Sequence, residues 1–283
     1  MENQSKTPKR SKESNTVPGK LSESFCMATL GFLTITLSYL LYQGTLSLLL
    51  GYDTEVSFMR VTSTPFENRY WSAGRVLTMY LLPALIYLFA GTGIAYYLHW
   101  AAKKVSILYW YLYWCMLFSI AFATSQFIIS PLASLHTKSP VYQGVVVAMN
   151  WWGVELGVQM GFAFVAIAIN LIMGFITYKI LMQLSPVQSV VFSKSNQQLV
   201  VLRYFIAPLI LLFPLSLVLT FPNQILNIIP VFLCIGLWLP GYVIKTQDGY
   251  RLEDKVKQAT NITLGYIWPI TIGLLLLMIR VFL

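Results

Sequence analysis

Charge is scarce in this chain. Asp, Glu, Lys and Arg make up 10% of its 283 residues while 57% are hydrophobic, against about 25% charged and about 45–50% apolar in soluble domains. Stretches of about 20 apolar residues, each long enough for a hydrocarbon core of about 30 Å, recur throughout and exclude a soluble class. Cysteine is nearly missing too. Cys26, Cys115 and Cys234 all lie inside apolar runs, and an odd number without CxxC or Cys/His spacing gives neither a disulfide framework nor a zinc cluster. Buried, inert thiols are the reading that remains.

Histidine is rarer still. His99 and His136 are the two in the chain, far apart and on opposite expected sides of the membrane. No HExxH is present, so the zinc route to intramembrane proteolysis lacks its ligands and base. The aspartyl route needs two neighbouring carboxylates, and Asp53 and Asp248 fall on opposite expected faces. No GxSxG context pairs a serine with either histidine. Gly-rich phosphate loops and DxxxD carboxylate pairs are missing as well.

What is present is a series of spans. Residues 1–24 are polar, basic and poor in large apolar groups, the composition of a disordered tail; residues 25–283 form the transmembrane domain. The first run, 26–50, is too long for a signal-peptide apolar region of about 7–15 residues and is expected to stay in the mature protein. Further runs cover 76–100, 105–129, 152–181, 199–220, 225–244 and 262–283, with "FPNQ" as a tight corner or re-entrant kink between the fifth and sixth. Helices satisfy their own backbone in lipid. The expected fold is therefore all-α, a polytopic bundle of about seven spans.

The net charge of +9 is a matter of topology, with basic residues scattered between spans rather than gathered for nucleic acid. On one side lie Lys6, Lys9, Arg10, Lys12, Lys20, Lys103, Lys104, Lys179, Lys194, Arg203, Lys245, Arg251, Lys255 and Lys257; on the other lie Arg60, Arg69, Arg75, Lys138 and Arg280. This bias places the N-terminus in the cytoplasm and the C-terminus outside. With no organelle signal in view, a bacterial cytoplasmic membrane is the expected location. "YYLHW", "LYWYLYW" and "NWW" read as interfacial aromatic belts. Pro208, Pro214, Pro230, Pro240 and Pro269 are expected to bend the last spans.

Between the first and second spans, residues 51–75 form the largest external loop. "TEVSFMRVTST" alternates and is rich in β-formers, so a short strand or hairpin is expected at the membrane surface. Arg60, Arg69 and Arg75 there suit a headgroup phosphate; they equally suit interfacial anchoring or pairing with Asp53, Glu55 and Glu67. The fourth span holds Glu155, the ionisable residue most worth attention within lipid. At 100° per residue Glu155, Gln159, Ala163, Ala166 and Asn170 form one narrow seam. Such a seam serves helix packing or lines a path for a polar ligand or ion.

One resemblance concerns "YLLYQGTLSLLLGYDTEVSFMRVTST" and the later "YLLPALIYLFAG". The layout resembles the site-2 protease-like family of intramembrane zinc metallopeptidases: a catalytic helix ending in a Gly-Tyr-like corner, a β-rich surface segment, and an apolar helix near a proline, here Pro83. The resemblance puts Tyr39, Leu40 and Gln43 in the places of the first ligand His, the base Glu and the second His. None does that chemistry, and "FIISPLASLHTKSP", with its Ser-Pro turn, supplies no carboxylate for the family's second site. What the resemblance implies is a pseudoprotease, a scaffold that binds a membrane partner or a lipid without cofactor or metal. A transporter or permease subunit built on the fourth-span seam is the alternative, and a lipid-acting enzyme using the three arginines is a third. The expected partners are the bilayer and, in the scaffold reading, another membrane protein; nucleic acid is not one.

Overall fold

A computed structural model describes residues 21–57, 60–65, 72–101, 107–137, 144–185, 194–220 and 225–248. Within these, six helices are long and apolar enough to cross a membrane: Glu23–Leu49, Ala73–Trp100, Ile107–Leu135, Leu156–Leu184, Lys194–Val218 and Ile228–Thr246. The chain is a multi-pass integral membrane protein. The expected seventh span, 262–283, the "FPNQ" corner, Arg69 and most of the basic tail lie outside the described residues.

Helix α1 (Leu21–Leu49) leads into strands β1 (Tyr52–Ser57) and β2 (Arg60–Pro65), which pair antiparallel from Tyr52 opposite Pro65 to Ser57 opposite Arg60. The helix begins at Leu21, so the last residues assigned to the tail belong to the bundle; Ser24 is already buried. The second span is α2 (Ala73–Val76), a π-helical turn at Leu77–Leu81, and α3 (Leu82–Ala101). The third is α4 (Ile107–Leu135). It continues as one helix through Ser130 and Pro131, where the sequence suggested a turn; Pro131 sits in the last turns, where its missing N–H costs one hydrogen bond near an end.

The fourth span departs furthest from expectation. A short helix α5 (Val145–Trp151) and a corner at Gly153, with φ of 65°, precede α6 (Leu156–Leu184). The span therefore starts at Leu156, four residues later than read from hydropathy. The fifth is α7 (Lys194–Val201), a second π turn at Leu202–Ile206, and α8 (Ala207–Thr220); the sixth is α9 (Ile225–Gly236), a turn at Leu237 and Trp238, and α10 (Leu239–Asp248).

Helix α4 is the axis of the bundle. Every residue from Tyr113 to Ser125 is buried, the pattern of a helix enclosed on all sides, and α1, α3, α5, α6 and α9 all pack on it. This corrects part of the aromatic-belt reading: Tyr113 and Trp114 of "LYWYLYW" have no exposed surface. Tyr96, Tyr97 and Trp100 do face outward. The displaced aromatics build a core cluster at the end of the bundle away from the hairpin. Phe205 stacks on Tyr242 at 4.4 Å, Tyr178 meets Tyr242 edge-on at 5.6 Å, and the hydroxyls of Tyr113 and Tyr242 are hydrogen-bonded at 2.8 Å. Nearby, α6 and α10 touch backbone to backbone. A Cβ on Gly174 would lie 2.5 Å from the Trp238 carbonyl oxygen, and one on Gly241 would lie 2.7 Å from the Gly174 carbonyl carbon.

Candidate functional site

The stretch Tyr39–Gln43, to which the resemblance gives the metal motif, does structural work with the turn before Pro83. Pro83 has no N–H, and the π turn before it sends the Leu82 N–H to the Leu77 carbonyl. Thr78 and Met79 thus lose the donors a regular helix would give their carbonyls, in a medium that offers no water to replace them. Both carbonyls are capped from α1. The Tyr42 hydroxyl donates to Thr78 O at 2.9 Å, and the buried Gln43 amide donates to Met79 O. Pro208 repeats the arrangement in the fifth span: its π turn sends Ala207 N–H to Leu202 O, and the Ser24 hydroxyl donates to the freed Tyr204 O at 3.2 Å.

The same stretch can be tested for its fit to a metal. Tyr39 is buried with its ring edge-on to Phe122 at 4.8 Å, Leu40 is buried, and the Gln43 amide is committed to Met79. Neighbouring Ser38 bonds Tyr87 at 2.9 Å. The residues present do not fit a zinc ion, and among the described residues no three of His, Cys, Asp and Glu converge on one point. Replacing Gln43 with Leu is expected to leave Met79 O without a donor and to cost about 1–3 kcal/mol, read as a lowered unfolding midpoint in detergent. Tyr42→Phe should cost less, because Tyr42 is only partly buried.

The fourth-span seam divides. Glu155 is exposed and stands just before α6 as its N-cap residue, with no side-chain cap bond; the corner at Gly153 has lifted it out of the helix. Gln159, Ala163, Ala166 and Asn170 are buried together. Gln159 is a hub at the hairpin end. Its carbonyl accepts from Ser130 at 3.0 Å, and its amide nitrogen donates to Asn150 Oδ1 and Val154 O, each at 2.9 Å. Ser134 also donates to Asn150 Oδ1 at 2.8 Å. Asn170 works deeper: Oδ1 accepts from the Trp238 indole at 2.9 Å and the Thr124 hydroxyl at 3.4 Å, while Nδ2 donates to Ala166 O at 2.8 Å. Both amides are spent on joining helices, as polar groups in membrane interfaces commonly are.

Of the arginines, Arg75 is half-buried in α2, its guanidinium 5.9 Å from the centre of the Tyr52 ring, a cation–π distance. Arg60 lies at the start of β2; its side chain and all of Arg69 are outside the described residues, as are the side chains of Asp53, Glu55 and Glu67.

Between α3, α4, α5 and α6 lies a cavity of about 390 Å³, within the range of about 300–1,000 Å³ common for small-ligand sites. Leu81, Leu85 and Leu88 line one wall and Phe162, Val165, Ala166 and Ile169 another, with Met149 and Val154 at the hairpin end. Among the described residues the lining holds two polar groups, the Trp152 indole and the Thr124 hydroxyl, and the latter donates to Ile120 O at 2.7 Å. The wall is otherwise apolar. Lining residues Phe162 and Val165 remain 45% and 56% exposed, so the mouth opens sideways. Sequence reading identified Ala166 on a seam but missed this cleft. Its walls come from four helices, with Met149 and Val154 at one end, and no single segment signals it. Comparison of the chain with protein-family models, curated proteins and solved structures finds no significant match.

Proposed function

We propose that this chain is a non-catalytic membrane protein, built on a site-2 protease-like plan, that binds an apolar segment of another membrane component in the α3–α6 cleft. The cleft carries the reading: it is of ligand size, it opens toward the bilayer, and its lining presents apolar surface. The capped carbonyls support the non-catalytic half, since Tyr42 and Gln43 hold the backbone where a protease of that plan would hold its metal. The transporter alternative draws less support, because the amides of its polar seam are already bonded between helices. In this reading the hairpin end faces outward and the end bearing Lys179, Lys194 and Lys245 faces the cytoplasm, in line with the bias of basic residues.

Two measurements test it. Purified protein is expected to contain no stoichiometric zinc, and metal analysis finding about one ion per chain would overturn the non-catalytic half. A benzoylphenylalanine placed at Leu85 in the cleft is expected to capture a membrane component more often than one at Val218, which is 75% exposed on α8. Equal capture at both would end the binding reading.

A further inference from the structure

The lining of the cleft restricts what enters it. Among the described residues it is apolar but for the Thr124 hydroxyl and the Trp152 indole N–H, so the occupant is apolar, and the exposed flanks at Phe162 and Val165 admit it from the side.

The walls give its length and direction. Leu81–Leu88 and Phe162–Ile169 each advance seven residues, about 10 Å along a helix. That is much of the roughly 15 Å depth of one leaflet's hydrocarbon, half of the bilayer core. Trp152 lies at the hairpin end of the same lining and is 44% exposed, a residue type that settles at the membrane–water interface. From Trp152 the cleft descends past Phe162 to Ile169. Its axis therefore runs from the interface inward, the path of a lipid tail.

We propose that the cleft holds one acyl chain of a lipid from the leaflet at the hairpin end, entering between α3 and α6, with its headgroup at the level of Trp152. This rests on the binding reading above and names the occupant. The sideways mouth admits a chain without removing the headgroup from the interface. The satisfied Gln159 network behind Met149 and Val154 closes the end without competing for polar atoms.

The test uses the full-length protein in phosphatidylcholine–phosphatidylethanolamine vesicles doped with a phospholipid bearing a diazirine on one acyl chain. After irradiation and digestion, adducts are expected to concentrate on Leu81–Leu88 and Phe162–Ile169. Val165→Trp, at the exposed mouth and so outside the tight core, is expected to reduce them by roughly tenfold, an affinity change one blocked contact surface can produce. Adducts around Val218 should be unchanged. Ala166→Phe, filling the cleft from within, should act in the same direction. Adducts spread evenly over the outer helices and indifferent to Val165→Trp would overturn the acyl-chain assignment. If the Leu85 photoprobe captures a polypeptide in native membranes instead of lipid, the occupant is a protein segment: this inference fails and the binding reading stands. If Leu85 captures nothing above Val218, both fail.

Discussion

Gly174→Leu is expected to separate α6 from α10 and to destabilise the protein by about 3 kcal/mol or more, the upper range for overpacked sites. The first added carbon would already lie 2.5 Å from the Trp238 carbonyl oxygen and 3.0 Å from the Trp238 Cα. Neither atom can swing aside as a side chain would. On the other face, Gly241 meets the Gly174 backbone itself, so the two glycines are one joint, and Gly241→Leu should have a similar effect. The joint also carries the Asn170–Trp238 bond, which requires the two helices to stay close. The measurement is thermal unfolding in detergent, with an expected fall in Tm on the order of 10 °C. Gly157→Leu is the matched control, because Gly157 has no neighbouring atom within 4 Å among the described residues; its Tm should stay near that of the parent.

The second large effect is at Gln159. Leu at this position keeps the volume and removes the hub, leaving Ser130 without that acceptor, Val154 O without that donor and Asn150 Oδ1 with Ser134 but not Gln159. Unsatisfied buried groups cost about 1–3 kcal/mol each in general. Within membranes, however, single interhelical bonds average about 0.6 kcal/mol because partners are found elsewhere, so a net loss of about 2–3 kcal/mol is expected for the set. Gln159→Glu should be worse than Gln159→Leu. It turns the donating nitrogen into an oxygen facing Asn150 Oδ1 and Val154 O, two acceptors now 2.9 Å away. Unfolding midpoints in the order parent, Leu, Glu would support the assignment. A Glu variant as stable as the parent would show that the amide is not donating to these oxygens.

How much of this was legible in the sequence depends on how far each cause reaches. Six of the seven spans expected from length and apolarity are long apolar helices among the described residues, because the bilayer sets both properties locally. Pro83 and Pro208 were visible too, but not what they do: each frees carbonyls whose caps lie 36 or 180 residues away in α1. The seam at Gln159, Ala163, Ala166 and Asn170 emerged correctly from helical spacing, since those residues share one unbroken helix. Glu155 did not, because Gly153 adopts a positive φ and ends the helical pattern just before it. The aromatic run around Tyr113 and Trp114 misled for a different reason. In lipid, apolarity no longer separates inside from outside, so an interfacial Tyr and a central one look alike until the neighbouring helices are placed. The cleft was the least legible feature, being a property of four helices and of none singly.

The caps held by α1 have a consequence for biogenesis. Chains are made from the N-terminus at about 5–20 residues per second, so Ser24, Tyr42 and Gln43 enter the membrane before any of the carbonyls they serve. When the second span arrives with its proline-broken turn, its partners are already in place. The fifth span reaches a donor that has waited through most of synthesis. The first helix thus works as a template on which later, imperfect segments are completed, and an order of insertion is written into where the hydroxyls and the amide sit.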